Sequence, residues 1–493
     1  MKKVKSSKKL CIVRSILGTV VAVSLFYPAV NAEVTVMAAS PTVIEQQLQV
    51  PAIQSSNWEP EVKTTVNNFL KMYGKYSPTY NQNNPPYATF DFDNTTSIMD
   101  VEEQLIIWQL DHLAFAIPPE KMEEVLKTGI PAEKLTMTYG ANNGDGRPAT
   151  IQAAINDAVN DYKVLYEQGV VTTTGSEQTD AVKGSFAYQD FTAKMRWLYD
   201  AISETMDNSV SYPWVTYWYT GMTPQQVFDL AYTCDSYYGD SSKGQTWTKG
   251  KYTSPDTEAS QAGSVTVSYN QGITVTPEVR ELYQALAEDG IDPWIVSASH
   301  VDVVRAAVKY FAIPDVKGVV GMTNKLDDQG KYINIYDYDA HAQTQGVGKS
   351  LSIEKVIAPQ YQGQGPIFCA MDSQGDFNFC TEFANTKAVL IMNRRRKDDA
   401  ALCAAIAEYQ KEHHITLQQA NDNGDVRYVL QGRNETVGLL WPDNQTIFLG
   451  KTDKVFLSDR AKQAIAELDS GMSIAQLLKK DTSLKDYQGY KTR

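Results

Sequence analysis

Residues 84–95 read NPPYATFDFDNT, and this stretch decides the fold class. After the two prolines, the apolar run from Tyr87 to Phe92 predicts a short buried strand that delivers two carboxylates, Asp91 and Asp93, at its end. Carboxylates two residues apart on an extended segment share one face, and a turn at the strand end can aim both into one crevice. One of them can then attack phosphorus while the other donates and takes back a proton. The same string also occurs in surface turns, so other motifs must support this interpretation.

From residue 276 onward, predicted strands and helices alternate along the chain. The pair Thr276-Pro277 is typical of a helix start, and short apolar runs separate the helices that follow. This alternation predicts a parallel sheet covered by helices, in which chemistry collects at the carboxyl ends of the strands. The predicted strands span residues 293–297, 316–320, 366–371 and 388–392.

Two further polar groups lie in this region. Ser297 closes the first of these strands, where a hydroxyl can donate to a phosphoryl oxygen but more commonly caps a helix or a turn. The stretch 346–350, GVGKS, resembles the end of a phosphate-binding P-loop, but Gln343 stands where that motif needs glycine. We therefore interpret Lys349 as a single ammonium at a helix start that faces an anion, with a solvated lysine as the alternative.

The stretch 367–376, IFCAMDSQGD, is the last motif. Its apolar half predicts a buried strand that ends at Asp372, and Asp376 follows in the next turn. Mg²⁺ takes oxygen ligands and keeps several waters, so carboxylates from two strand ends and a backbone carbonyl make a site that it accepts. Each motif is weak alone, and their order along the chain carries the evidence.

This order of motifs resembles the haloacid dehalogenase (HAD) superfamily of phosphatases. The resemblance implies that Asp91 is the nucleophile, which forms an aspartyl-phosphate, and that Asp93 is the general acid and then the base. It implies three substrate-binding residues. Thr95 would shape the turn, while Ser297 and Lys349 would bind and neutralise the phosphoryl group.

The same resemblance implies a Mg²⁺ cofactor. Asp91 and Asp372 would hold the ion together with the backbone carbonyl of Asp93, and Asp376 would orient its waters or the lysine. Met371 departs from the family, in which many members have glycine at this position. Several carboxylates in one crevice repel a phosphate dianion unless a divalent cation and a lysine offset their charge, so we expect activity to depend strictly on the metal.

The resemblance covers about residues 58–415 and implies a Rossmann-like HAD core, α/β in class, with a parallel sheet and helices on both faces. The segment between Thr95 and Ser297 is too long for a loop, so we expect a large, mostly helical cap inserted after the first motif, with a hairpin around residues 265–275. The predicted domains are a signal peptide (1–32), a linker (33–57), the catalytic core (58–98 and 277–415), the cap (99–276) and a C-terminal accessory segment (416–493).

The cap bears on the substrate, because a closed cap excludes bulky polymers and favours small phosphoesters. The stretches 219–224, YTGMTP, and 391–394, IMNR, resemble exported bacterial phosphorylcholine phosphatases, which implies phosphocholine or a related amino-alcohol phosphate as substrate. The alternatives are a broad-specificity acid or phosphoserine-type phosphatase and a non-catalytic choline-binding envelope protein. Five cap aromatics suit a trimethylammonium group but more often form core, and none is assigned to it: Tyr212, Trp214, Tyr217, Trp218 and Tyr219.

Composition and charge set the remaining limits. The 493-residue chain carries a net charge of −13, which argues against nucleic acid as a partner. A basic run to Lys9, an apolar run from Ile16 to Val30 and small residues up to Ala32 predict a cleaved signal peptide. The expected location is therefore secreted, periplasmic or cell-envelope associated, without a stable membrane anchor. Oligomeric state stays open, as does the pairing of the remaining cysteines, none of which has zinc-site spacing: Cys234, Cys369, Cys380 and Cys403.

Overall fold

The computed structural model describes residues 50–140, 149–239, 247–255, 260–394, 400–447 and 457–480. The predicted signal peptide and all but the end of the predicted linker lie outside these residues. Within them, we find no helix with the length and apolar character needed to cross a bilayer.

A seven-stranded sheet forms the centre of the fold, and all of its strands run parallel except one at the edge. The central strand is the one that leads into Asp91, and its neighbours are the strands that carry Ser297 and lead into Asp372. From one edge to the other, the strands are β11 (Leu439–Trp441), β10 (Arg427–Asn434), β9 (Ala388–Met392), β8 (Phe368–Met371), β1 (Tyr87–Phe90), β4 (Asp292–His300) and β5 (Gly318–Met322).

Helices cover both faces of this sheet, which confirms the predicted fold class. Alternate residues of β1 face opposite sides, so that Ala88 and Phe90 pack into one hydrophobic core and Tyr87 into the other. The first core is covered by α1 (Pro60–Tyr73), α9 (Pro277–Glu288), α10 (Val301–Tyr310) and α14 (Leu417–Asp422). The second is covered by α12 (Phe377–Thr381), α13 (Ala401–Glu412), α15 (Asp459–Asp469) and α16 (Ile474–Leu478), and α11 (Val347–Ser352) lies beside the strand ends.

The chain between β1 and β4 folds around a hydrophobic core of its own. Helix α2 (Val101–His112) joins this segment to the sheet. Its Leu105 packs into the first core of the sheet, whereas Ile106 and Ile107 pack into the segment's own core. The other elements are α3 (Pro119–Lys127), α4 (Ile151–Glu167), α5 (Asp180–Lys183), α6 (Phe186–Thr205), α7 (Asn208–Thr216), α8 (Pro224–Tyr238), β2 (Thr248–Thr253) and β3 (Thr266–Gln271).

The hairpin predicted around residues 265–275 is wrong in its pairing. Strand β3 pairs antiparallel with β2, and Val267 lies opposite Tyr252. The chain then turns at Gly272, whose φ of 128° favours glycine, and Thr274 forms a bridge with Ile98. The second half of the expected hairpin therefore ties the segment back to the start of α2.

A hairpin that the sequence did not predict connects the core to the cap from the other side. It consists of β6 (Asn324–Leu326) and β7 (Tyr332–Tyr336). The backbone of Tyr332 accepts from the Gly221 N–H at 2.9 Å and donates to the Met222 carbonyl at 2.8 Å. Together with α2, this hairpin fixes the cap at two points.

The segment 416–493, predicted to be accessory, contributes to the central sheet. Strand β10 pairs in parallel with β9, from Arg427 opposite Ala388 to Gln431 opposite Met392. All but the last residue of β10 are buried, because the strand has a neighbour on each side and helices over it. The sheet therefore extends beyond residue 415, which corrects the predicted C-terminal limit of the core.

The four cysteines among the described residues are buried free thiols. Cys369 and Cys380, the nearest pair in sequence, are neighbours in the core, and burial followed by the contact with Cys369 raises the pKa of Cys380. They therefore act as small apolar residues of the core in this structure.

The cap contains a buried charge cluster between α4, α6 and the segment before β3. The Lys194 ammonium donates to Asp190 at 2.8 Å and to the Ser260 hydroxyl at 2.9 Å, and lies 3.4 Å from Asp157. Burial and the neighbouring Asp190 raise the pKa of Asp161 to about 9. Asp161 is therefore protonated at neutral pH, so it adds no negative charge to the surroundings of Lys194.

This raised pKa makes the stability of the cap depend on pH. The unfolded chain ionises Asp161 near pH 4 but the folded protein does so near pH 9, so the free energy of unfolding falls as pH rises between these values. Asp161→Asn keeps the side-chain shape and provides an N–H donor, but it cannot ionise. Its free energy of unfolding should therefore not fall with pH in this way. We expect its stability relative to wild type to grow by about 1 kcal/mol per pH unit between pH 5 and 8, measured by urea unfolding. Glu167→Gln, at an exposed position of the same helix, is the control, and parallel curves for Asp161→Asn and wild type would contradict the shift.

Candidate active site

The turn after β1 brings both carboxylates of the first motif to one cleft, as the sequence predicts. We call residues 91–96 the catalytic turn. Within it, Asn94 adopts a left-handed conformation with φ 65°, which asparagine tolerates better than most residues. The Thr96 hydroxyl donates to the Asp91 carbonyl at 2.8 Å and closes the turn. Asp91 and Asp93 both line the cleft at this turn.

Lys349 lies in the buried centre of the site. Its Nζ donates to Oδ1 of Asp91 at 2.5 Å and to Oδ1 of Asp376 at 2.6 Å, and its side chain is 2% exposed. Burial alone would lower its pKa, but the two carboxylates outweigh burial and raise it, so the ammonium stays charged. The preceding glycine permits close packing, since a Cβ on Gly348 would stand 1.8 Å from the Gln343 carbonyl oxygen. The alternative of a solvated lysine is therefore wrong.

Three buried carboxylates meet beside this lysine. One oxygen each from Asp91, Asp372 and Asp376 lie within 4.8 Å of one another. One oxygen of Asp372 accepts from Arg394 Nη1 at 2.6 Å, and the other lies 3.3 Å from the Thr95 hydroxyl. The same hydroxyl lies 3.0 Å from Asp91. Such a set of oxygen ligands fits a hard divalent cation, because the attraction of the cation offsets the repulsion among the carboxylates.

The Asp93 side chain lies apart from these three carboxylates. It accepts from the Ser299 hydroxyl at 2.6 Å, from the Ser297 hydroxyl at 3.2 Å and from the Val101 N–H at 2.8 Å. The metal contact expected from its backbone carbonyl stays a prediction. Ser297 is fully buried and supports Asp93 in this structure, so its expected contact with a phosphoryl group also stays a prediction.

Burial raises the pKa values of both carboxyls in the catalytic turn. The pKa of Asp91 rises to about 6, with Lys349 opposing the rise and Asp372 adding to it. Burial and then the neighbouring Asp100 and Asp91 hold the pKa of Asp93 well above its usual range. A raised pKa suits a general acid, because such a group must hold the proton that it gives to the leaving group.

Arg394 and Ser299 belong to the site but were not predicted. Arg394 follows the end of β9, and Ser299 lies near the end of β4 and lines the cleft. The rule that chemistry collects at strand ends could have indicated both residues. Arg394 ends the stretch 391–394 that carries part of the resemblance, but the resemblance gave it no role, and Ser299 lies in none of the quoted motifs.

Glu102 forms part of the cleft wall and joins the cap to the core. Its Oε1 accepts from the Tyr219 hydroxyl in the cap, and its Oε2 accepts from the His300 N–H in the core at 2.8 Å. Burial raises the pKa of Glu102 to about 7, although both hydrogen bonds oppose the rise. This network holds the start of α2 against the end of β4.

The cleft between these groups has a volume of about 800 Å³, including its open mouth. Of the five cap aromatics considered for a trimethylammonium group, Tyr212 lines the cleft, whereas Trp214 and Trp218 are buried in the cap core. The cap contributes several other polar groups to the lining. They are Tyr199, Ser203, Asn208 and Ser211, and Asp100 lies at the start of the cap.

Comparison of the sequence with protein-family models and with curated proteins gives no match. Among solved structures, the chain is similar to a conserved protein of unknown function from Anaerococcus prevotii DSM 20548, with 28% identity and a TM-score of 0.67. That similarity covers 80% of this chain and 98% of the other. It supports the fold over most of the described chain and brings no assigned function with it.

Two more distant similarities are to proteins described by their chemistry. One is a phosphoserine phosphohydrolase-like protein from Francisella tularensis subsp. tularensis SCHU S4, with 13% identity over 62% of this chain and 87% of the other and a TM-score of 0.26. The other is cytosolic 5'-nucleotidase IIIB bound to cytidine, with 10% identity over 85% and 97% and a TM-score of 0.29. At these TM-scores neither similarity carries an argument about function.

The fold and the site agree with the resemblance found in the sequence. The parallel sheet places the first motif on its central strand, and the serine, lysine and paired aspartates of the other motifs meet around the end of that strand. This is the arrangement that the resemblance to HAD-type phosphatases predicts.

The Glu102 network predicts an asymmetric effect of removing tyrosine hydroxyls. Tyr219→Phe leaves a buried carboxylate oxygen without its donor, so we expect it to lower the free energy of unfolding by about 1–3 kcal/mol. Tyr428→Phe is the matched control, because the buried Tyr428 hydroxyl has no hydrogen-bond partner in the described chain and its loss should be neutral or stabilising. Urea unfolding measures both, and equal losses in the two variants would show that the network does not stabilise the protein.

Proposed function

We propose that the protein is a secreted, Mg²⁺-dependent phosphomonoesterase that hydrolyses phosphocholine or a related amino-alcohol phosphate through an aspartyl-phosphate intermediate. The contact that carries this proposal is the one between Lys349 and Asp91 at 2.5 Å, which places a permanent positive charge beside the expected nucleophile. Secretion rests on the signal-peptide pattern of residues 1–32.

The residues of the site account for two successive transfers. A carboxylate oxygen of Asp91 attacks phosphorus and forms an O–P bond as the bond to the leaving alkoxide breaks, and Asp93 gives its proton to that alkoxide. Asp93 then takes a proton from the water that attacks phosphorus, the bond to Asp91 breaks and inorganic phosphate leaves. Lys349 offsets the charge of the phosphoryl oxygens throughout.

The carboxylate oxygens of the site support the proposed metal, because they are the ligands that Mg²⁺ prefers. Asp91 and Asp372 would hold Mg²⁺, and Asp376, which donates no proton when ionised, would accept from Lys349 and from waters of the ion. When bound, Mg²⁺ supplies Lewis-acid charge for the phosphoryl oxygens. Arg394 keeps one oxygen of Asp372 occupied, so the other oxygen is left for the ion.

The cleft supports a cationic substrate by its charge. Asp100 and Glu102 line it together with Tyr199 and Tyr212, and Lys349 is the only lysine or arginine among the described lining residues. Carboxylates attract an ammonium group and tyrosine faces hold it, whereas a second phosphate would be repelled. The cleft volume suits a small molecule.

Activity should require both the metal and Asp91. We expect a chelator to abolish hydrolysis of phosphocholine and Mg²⁺ to restore it, and Asp91→Asn to lower kcat by at least about a thousandfold, or about 4 kcal/mol of barrier. Steady-state phosphate release measures both effects. Asp235→Asn, a change at a buried carboxylate of α8 outside the cleft lining, is the control and should retain activity. Unchanged turnover in Asp91→Asn would eliminate the mechanism, and wild-type binding of phosphocholine without turnover would favour the choline-binding alternative.

Substrate preference should depend on Asp100. Asp100→Asn keeps the helix cap that accepts from the Glu103 N–H at 2.9 Å, but it removes one negative charge from the cleft. We expect the ratio of kcat/KM for phosphocholine to that for glycerol 3-phosphate, whose leaving group is uncharged, to fall about tenfold, or about 1.4 kcal/mol. The ratio cancels the effect of Asp100 on the pKa of Asp93, which both substrates share. A panel that also includes phosphoethanolamine, phosphoserine and glucose 6-phosphate gives the comparison. Equal wild-type rates on phosphocholine and the sugar phosphate would favour the broad-specificity alternative.

A further inference from the structure

The C-terminal strand of the sheet reaches the catalytic turn through one side chain. Arg433 lies near the end of β10 and is 1% exposed. Its Nη1 donates to the backbone carbonyl of Asn94, the left-handed residue of the catalytic turn, and its Nη2 donates to Glu435. Arg433 thereby connects residue 94 to a segment that the sequence analysis assigned an accessory role.

Arg433 belongs to a buried network of four charges. Arg394, from the loop after β9, donates to Asp372 at 2.6 Å, and both Arg394 and Asp372 are electrostatic neighbours of Arg433. The two arginines balance Asp372 and Glu435, and all four side chains are nearly inaccessible to solvent. One branch of the network ends on the catalytic turn and the other on an expected metal ligand.

Stability alone is a weak explanation for such a network. Removing two arginines and two carboxylates from water costs more than their attraction commonly returns, and apolar residues of similar volume would pack there at lower cost. The geometry offers another explanation. The peptide unit after Asn94 is planar, so fixing its carbonyl also fixes the Thr95 N–H and the direction in which the chain leaves Asn94.

We propose that Arg433 is a positioning residue of the active site, which holds the catalytic turn in its reactive conformation through the Asn94 carbonyl while Glu435 holds its guanidinium. Arg394 acts in the same way on Asp372. This inference rests on the proposed phosphatase function and adds to it that the segment after residue 415 is required for catalysis.

The same strand offers a matched control for the test. Arg427 is also on β10 and 1% exposed, and it pairs with Glu61 and donates to Gln410 at 3.1 Å, at the end of the strand opposite the site. Replacing either arginine by methionine removes a buried guanidinium and its ion pair from the same strand. Arg433→Met should lose more stability, because Glu435 is fully buried whereas Glu61 is 29% exposed, so activities are compared per folded molecule. The catalytic turn is affected in only one of the two variants.

We expect Arg433→Met to lower kcat on phosphocholine about a hundredfold with KM within twofold, because a misplaced turn weakens the reaction more than ground-state binding. Arg427→Met should keep kcat within threefold per folded molecule. Arg433→Lys, which keeps the charge but lacks the forked donor, should recover part of the loss.

A binding experiment gives a readout besides turnover. Beryllium fluoride is an analogue of the aspartyl-phosphate, and its Mg²⁺-dependent binding is followed by tryptophan fluorescence. The apparent Kd should rise about tenfold in Arg433→Met and stay unchanged in Arg427→Met.

The outcomes separate this inference from the proposed function. Wild-type kcat and beryllium fluoride affinity in folded Arg433→Met, or equal losses in Arg433→Met and Arg427→Met, would overturn the positioning role and leave the phosphatase assignment intact. A wild-type protein that hydrolyses none of the phosphoesters would overturn the proposed function, and the beryllium fluoride comparison would still test Arg433. If Arg433→Met does not fold, Glu435→Gln takes its place, with an expected tenfold loss of kcat, and an unchanged kcat would count against the proposal.

Discussion

The ammonium of Lys349, buried between Asp91 and Asp376, is the contact on which the site depends. Without it, neighbouring carboxylates would face one another in a region of low dielectric constant, where each loses its hydration. With it, the helix start at α11 is held against the ends of β1 and β8. The catalytic turn, the start of α11 and the segment after β8 are thus held together by one ammonium that pairs with two carboxylates.

The remaining charges of the site are arranged around this contact. Arg394 occupies one oxygen of Asp372, and the hydroxyl groups of Ser297 and Ser299 occupy Asp93. Asp91 and Asp93 therefore have different surroundings although only one residue separates them. The cap completes the site, since Glu102 contributes to the wall of the cleft and ties the cap to the core in the same contact.

Much of this arrangement could be predicted from the sequence, because the informative residues stand directly at strand ends. The carboxylates of residues 91–95, Lys349 and the Asp372–Asp376 pair come after apolar runs or at a helix start, and a parallel sheet brings such positions together. What the sequence could not provide is the identity of distant partners. The pairing of β3 with β2, the place of β10 in the sheet and the contact of Arg433 with Asn94 depend on segments that no local pattern connects.

The central claim is that the carboxylates of Asp91, Asp372 and Asp376 surround one divalent ion beside Lys349. Crystals grown with Mn²⁺ in place of Mg²⁺ test it most directly, because the anomalous signal of manganese locates the ion without reference to the protein geometry. The account predicts one strong anomalous peak at about 2.0–2.2 Å from oxygens of Asp91 and Asp372, with Lys349 still in contact with Asp376. A peak elsewhere on the molecule, with no manganese at this cluster, would contradict it.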